Sequence, residues 1–407
     1  LKAVEDVVTR YPQSRWTEDA LYSTGNYYWV ELDRAKASEY YDQVARKFPF
    51  GRNAVAAHWR VTWTTYLEQP EQAAAKFEEH LTRYRTATPY TENALYWLGR
   101  LAERSGDEPR ARAFYTKAFE RFTQSYYGRQ AADRLNHIGA GRTVELELLA
   151  RIPKATPAPT FADSAPAAAE PYRARAFALM ALAMEKYAEQ ELRAAYSLTR
   201  APRLLLEAAQ AAHQAQRHGV GITIARRVDP HLDSRRVVEA PEEIWRAVYP
   251  LPYQESIETT AERKGLDPMI VAGLIRQEST FLSDAVSRAG AVGLMQVMPR
   301  TGRILARRER VPYSRSRLFQ PEYNLRLGIT HLADLIRNYG SLEKALAAYN
   351  AGPHRVAAWT ASGDFAEPAE FVESIPFSET REYVQIVMRN AEIYRRLYSP
   401  SEAGGGQ

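Results

Sequence analysis

The 407-residue chain has no cysteine. That excludes disulfides, thiol nucleophiles and cysteine-ligated metals. It leaves the compartment open, since exported proteins can also lack cysteine. Long apolar runs are missing as well. The longest notable one, Ala176 to Met184, ends at Glu185 and is far too short to cross a bilayer. No segment shows the period-two alternation of a half-buried strand. No secretory signal opens the sequence, because Leu1 is followed at once by Lys2 and soon by Glu5. A mature or trimmed form is therefore expected.

What is present reads as soluble and globular: 45% hydrophobic and 25% charged residues, with length for two or three domains. The net charge of +5 is a mild basic excess, enough for solubility or for attraction to an acidic polymer.

Residues 1 to about 140 carry an internal repeat. Arg10-Tyr11, Lys47-Phe48, Arg83-Tyr84 and Arg121-Phe122 recur at intervals of 37, 36 and 38. A second register agrees, with Ala20, Ala57, Ala94 and Ala131 each 37 apart. Between these marks apolar residues fall three and four apart, as in Ala37, Tyr40, Tyr41, Val44 and in Ala111, Phe114, Tyr115, Ala118. Such spacing predicts helices with one buried stripe, and the period fits helix pairs stacked as a solenoid. Five prolines and seven alanines between Arg151 and Tyr172 read as an irregular connection. Helical text resumes from Arg173 to about His218.

From about Trp245 the repeat is gone. Asp267-Pro268 opens a helix, with Asp as N-cap and Pro at the first position, and that helix should end near Glu278. Further helices are expected at 300–308, 324–338, 342–349 and 380–397. The chain is thus predicted to be all-α.

Four short blocks carry chemistry. Glu278 ends an apolar helix in Leu274-Ile275-Arg276-Gln277-Glu278-Ser279. Apolar surroundings hinder ionisation, which suits a group that gives a proton and takes it back. Alone it could equally be an ordinary helix-end charge. Next comes Ser287-x-x-Gly290-Ala291-x-Gly293-Leu294-Met295-Gln296-x-Met298-Pro299. Its glycines permit tight turns, and Gln296 offers the donor and acceptor that an acetamido group needs. Met295 and Met298 can as well be core residues. The third block is Ala347-Ala348-Tyr349-Asn350-Ala351-Gly352-Pro353, where a left-handed Asn350 or Gly352 would cap the helix. The fourth is Glu373-Ser374-Ile375-Pro376-Phe377-Ser378-Glu379-Thr380-Arg381-x-Tyr383. Glu373 is read there as lying on non-helical chain and pointing into a groove.

In this order and spacing the blocks resemble the soluble lytic transglycosylases of Gram-negative bacteria. The resemblance is specific over about 245–400 and looser over the repeats. It implies a helical-repeat superhelix over 1–150, a Pro/Ala-rich connection over 151–172 and a helical linker domain over 173–243. A lysozyme-like transglycosylase domain would follow over 244–400, then a flexible tail over 401–407. It makes Glu278 the single catalytic acid/base. Ser287 would orient Glu278 or the substrate, while Met295, Gln296 and Tyr349 would line the glycan groove. Asn350 would support that turn, and Glu373 would be a groove residue. Val292 stands where relatives often have Ser, so no role is assigned to it.

The implied reaction cuts the β-1,4 bond between N-acetylmuramic acid and N-acetylglucosamine in peptidoglycan, and the C6 hydroxyl of the muramyl sugar closes a 1,6-anhydro ring. No metal and no organic cofactor is needed. Glycan strands are the expected partner, with cell-wall synthesis proteins at the helical repeats and no nucleic acid. The implied address is periplasmic, at the cell wall or outer membrane. Two alternatives stay open: a lysozyme-type hydrolase, and a helical-repeat binding scaffold with a glycan-recognition domain. Finally, Arg300, Arg303, Arg307, Arg308, Arg310, Arg315 and Arg317 crowd around one acid, Glu309. This strip is either a solvated face or an attractor of peptidoglycan carboxylates.

Overall fold

The computed structural model describes residues 2–84, 89–154, 156 and 164–399. Among these residues every regular element is a helix. Sheet-like pairing is limited to two isolated bridges, Val286 to Val292 and Val292 to Val297. No helix is long and apolar enough to cross a membrane. Helix starts follow local chemistry. Ser14, Asp33, Asp107, Ser125 and Ser341 each accept a backbone N–H of the first turn. Pro70, Pro202, Pro268, Pro299, Pro321, Pro353 and Pro368 each open a helix, where their fixed φ is already helical.

The chain forms two compact units, Leu1–Ala155 with Ala357–Arg381, and Thr156–Val356 with Glu382–Gln407. By their contacts, residues 357–381 group with the first unit.

In that unit the repeat appears as helix pairs: Arg15–Val30 with Arg34–Lys47, Ala54–Glu68 with Pro70–Arg83, and Thr91–Arg104 with Glu108–Arg121, followed by Tyr126–Ile138. Lys47-Phe48, Arg83-Tyr84 and Arg121-Phe122 mark helix ends. The aromatic residue is the C-cap and donates its N–H four residues back, while the basic residue complements the negative end of the helix dipole. Trp59, Trp63, Trp97, Phe77, Phe114 and Tyr127 fill the interior. Tyr41 and Tyr115, two repeats apart, lie against Gly25 and Gly99, where a Cβ would come within 2.7 and 2.4 Å of the rings.

The 357–381 segment is held here by its acids. Tyr66 donates its hydroxyl to Glu370 (2.7 Å), and Arg100 and Arg104 pair with Glu367. Glu373 lies in the helix Pro368–Ser374, not on irregular chain. It is fully buried and accepts from Trp59 Nε1 (2.6 Å), Asn93 Nδ2 (2.8 Å) and the Tyr127 hydroxyl (2.6 Å).

In the second unit the text expected to be helical from Arg173 forms Glu170–Ala181, Glu185–Thr199 and Pro202–Gln214. Residues 155 and 157–163 of the Pro/Ala-rich connection and all of the 401–407 tail lie outside the described residues. The later helices are Pro268–Ser279, Pro299–Arg308, Pro321–Tyr339, Leu342–Ala351 and Ser378–Tyr398, the last entering this unit at Glu382.

Candidate active site

Asp267 caps the Pro268–Ser279 helix by accepting the Met269 N–H at 2.8 Å. Met269, Val271, Ala272, Leu274 and Ile275 bury its apolar stripe. The helix stops where Thr280 turns left-handed, its N–H bonded to Arg276 O, so Glu278 sits in the last turn. A bare Gly273 lets another helix approach: a Cβ there would meet Val387 O and Ala391 N at 2.8 Å, both on Ser378–Tyr398. That packing brings in Tyr383, 4% exposed, whose hydroxyl donates to Glu278 Oε1 at 2.6 Å.

Burial pushes the Glu278 carboxyl up from 4.5 to about 7, and the Tyr383 hydrogen bond opposes the rise. The helix-end carbonyls act in the same direction as burial. Arg276, two residues away, does not offset it. Its guanidinium donates to Val248 O (2.6 Å) and stacks over Tyr249 at 4.0 Å. No neighbouring carboxylate adds to the shift among the described residues. Asp284 is exposed in a turn after this helix.

The glycine block forms a tight turn beside this helix. Val292 and Val297 exchange both backbone hydrogen bonds, and Ser287 Oγ accepts from Ala291 N at 3.0 Å. Gly293 has φ +80°, and a Cβ there would lie 2.3 Å from Asn324 Nδ2. Asn324 is completely buried. It donates to Val292 O and Leu318 O (both 2.8 Å) and accepts from Met295 N at 2.9 Å. On the other side of the same residue, Tyr349 donates its hydroxyl to Met295 O at 2.7 Å. Ser279, next to Glu278, donates to Leu294 O at 2.8 Å. Three side chains thus fix the turn, and Ser279 is the one that ties it to the acid-bearing helix.

The expected site residues divide accordingly. Glu278, Gln296 and Tyr349 are gathered in this unit, and burial together with the Glu278 charge raises the Tyr349 hydroxyl well above its usual value. Gln296, left-handed at φ +47°, spends its amide N–H groups on Gly293 O (2.8 Å) and Ala285 O (3.3 Å). Its Oε1 carries no partner among the described residues. Ser287 is exposed and closes its own turn, with no bond to Glu278. Asn350 is exposed on the last helical turn, one residue before Ala351, and it is Gly352 that takes positive φ, at +92°.

Two expectations need correction. The Met295 side chain is fully buried against Gly328, so it is core and not groove wall. Glu373 has no exposed surface, and its carboxylate is consumed by donors of the repeat unit. Sequence reading missed Tyr383, Asn324 and Ser279. Tyr383 and Ser279 stood inside quoted blocks without a role, whereas nothing local marked Asn324.

Residues 255–372 match the Transglycosylase SLT domain family, and residues 374–402 match the Soluble lytic transglycosylase helical domain. The soluble lytic murein transglycosylase of Salmonella typhimurium is 34% identical over 188 residues, covering 45% of this chain and 27% of that protein. The protein of the same name from Escherichia coli K12 is 34% identical over 180 residues, covering 43% and 26%. The aligned region thus spans about a quarter of these curated relatives. The X-ray structure of an inactive Glu-to-Gln mutant of the lytic transglycosylase Slt from Pseudomonas aeruginosa superposes with a TM-score of 0.69 at 25% identity. It covers 95% of this chain and 59% of that one. The 70-kDa soluble lytic transglycosylase of E. coli shares the fold, with a TM-score of 0.59, 22% identity and coverage of 94% and 62%.

Proposed function

We propose, from a domain that belongs to the transglycosylase SLT family, that this chain cleaves the glycan strands of peptidoglycan as a lytic transglycosylase. The single observation that carries this is Glu278, an acid poised at about 7 beside a turn rigidly tied to its helix.

Near neutral pH a large fraction of Glu278 holds a proton. Tyr383 donates to Oε1, so the proton rests on Oε2, the atom without a protein partner among the described residues. Glu278 gives it to the glycosidic oxygen as the bond to the muramyl C1 breaks. The substrate's own acetamido group stabilises the positive C1, and Gln296 Oε1 accepts that group's N–H. The carboxylate then takes the proton of the C6 hydroxyl, whose oxygen bonds to C1. The 1,6-anhydro ring closes, Glu278 is reprotonated, and no water is consumed. An intramolecular nucleophile has a large effective molarity, which removes the need for the second carboxylate of most glycosidases.

The Tyr349 hydroxyl hydrogen is committed to Met295 O, so in this reading Tyr349 positions the turn. The direct test is clearing of purified sacculi. Glu278→Gln should slow it roughly 10²–10⁴-fold, and unchanged clearing would remove Glu278 from the reaction.

A further inference from the structure

One face of the Pro321–Tyr339 helix serves the turn beside Glu278. Asn324, Gly328 and His331 are four and three residues apart, so they lie on that face together. Asn324 accepts from Met295 N at 2.9 Å. Gly328 seats the Met295 side chain, since a Cβ there would come within 2.5 Å of Sδ. His331, one turn on, has its ring against Tyr349, with centroids 5.2 Å apart and planes tilted by 43°. Tyr349 in turn donates to Met295 O at 2.7 Å, and its hydroxyl end feels the Glu278 charge. All three residues thus converge on Met295, the last of them through a second ring.

His331 spends nothing on other partners. It makes no hydrogen bond or ion pair among the described residues, unlike His213, whose Nε2 meets Ala247 O at 2.8 Å. The side chain is half-buried, and its ring nitrogens are not among the buried unbonded atoms, so water can serve them. Burial lowers its pKa below the usual value, with Asp334 opposing and Arg308 adding, so the ring is neutral near pH 7. Those two charged neighbours are paired with each other. What His331 offers is a ring face, and Tyr349 needs one. Tyr349 stands in the last turn of Leu342–Ala351, just before Gly352 takes positive φ, and helix ends fray.

We infer that His331 is a positioning residue for glycan cleavage: it braces Tyr349, so that the Tyr349–Met295 bond holds the turn carrying Gln296. Its effect on rate rests on the transglycosylase reading, whereas its effect on the turn rests on packing alone. His331 touches no reacting atom. Gln296 holds the acetamido group as C1 becomes positive, so a loosened turn lowers kcat more than it raises KM.

Two readouts test this. One is kcat and KM on soluble, uncross-linked glycan strands. The other is hydrogen exchange of the Val292 and Val297 N–H groups, which close the turn. His331→Ala should lower kcat roughly tenfold, leave KM nearly unchanged and speed exchange of both amides. His331→Phe keeps a ring face and should recover most of the loss in both readouts. In Tyr349→Phe, which has no hydroxyl to hold Met295 O, adding His331→Ala should cost less than about twofold more. A tenfold loss in both backgrounds overturns the inference, because His331 would then act by another route. Failure of His331→Phe to recover the loss also overturns it, since the ring nitrogens and not the ring face would be at work. Thermal melting checks that His331→Ala is folded; should it unfold, His331→Leu, apolar but without a ring, repeats the cycle. Wild-type protein that cuts no glycan would sink the transglycosylase reading and leave exchange to decide: faster exchange in His331→Ala, recovered in His331→Phe, supports the brace, and unchanged exchange overturns it.

Discussion

An acid that must both give and take a proton works best with a pKa near the working pH, and Glu278 reaches that state through burial in the last turn of an apolar helix. Clearing activity should fall as pH rises through about 7, where the acid form is lost, and a pH–rate profile checks this. The same shift acts on stability. The folded state holds this proton more tightly than the unfolded chain, so stability is lost as pH rises from 4.5 to about 7 and the loss is complete above that. The penalty is on the order of 3 kcal/mol. Glu278→Gln should therefore be more stable than wild type at pH 8 and nearly equal to it at pH 4, a difference that thermal melts at the two pH values resolve. Tyr383→Phe removes the bond that lowers the Glu278 pKa. It should move the basic limb of the pH–rate profile upward; a limb that stays in place would mean Tyr383 does not set the acid.

At the scale of elements, two contacts set the geometry. Gly273 lets the Ser378–Tyr398 helix lie against the Glu278 helix, and the added Cβ of Gly273→Ala would press on backbone atoms that cannot rotate away. About 1–3 kcal/mol of stability should be lost, together with clearing rate, because Tyr383 moves with its helix. Asn324 ties the Gly293–Met295 turn through three main-chain groups. Asn324→Ala strands a buried N–H and two carbonyls, at about 3 kcal/mol by chemical denaturation. The helices themselves were legible from the sequence. Asp267-Pro268 marks one start, and Phe48, Tyr84 and Phe122 mark three ends, because caps are local chemistry. Asn324 was not legible: its partners lie up to 32 residues away, and no spacing rule links a helix residue to a distant turn.

Over the whole chain, the repeat and the four blocks revealed the helical architecture and the family likeness, but not which residues share a unit. Glu373 shows why. It stood in a block with Tyr383, ten residues on, yet the first packs with Trp59, Asn93 and Tyr127 while the second meets Glu278. A contiguous motif does not reveal that the chain changes unit near Arg381. Met295 misled for a related reason, since a thioether suits a core as well as a ligand groove. Removing the carboxylate leaves three buried donors without their acceptor, so Glu373→Ala should cost about 3 kcal/mol. Glu373→Gln keeps an acceptor for Trp59 and should cost less. A groove residue would behave otherwise, raising KM in both variants with melting unchanged.

The central claim is that one side chain breaks the glycosidic bond and closes the ring. Mass spectrometry of the fragments released from purified peptidoglycan tests it most directly. Wild type should yield muropeptides ending in the 1,6-anhydro form, each lighter by one water than a hydrolysis product, and Glu278→Gln should yield almost none. Reducing ends from the wild type, or anhydro ends at undiminished yield from Glu278→Gln, would contradict the account.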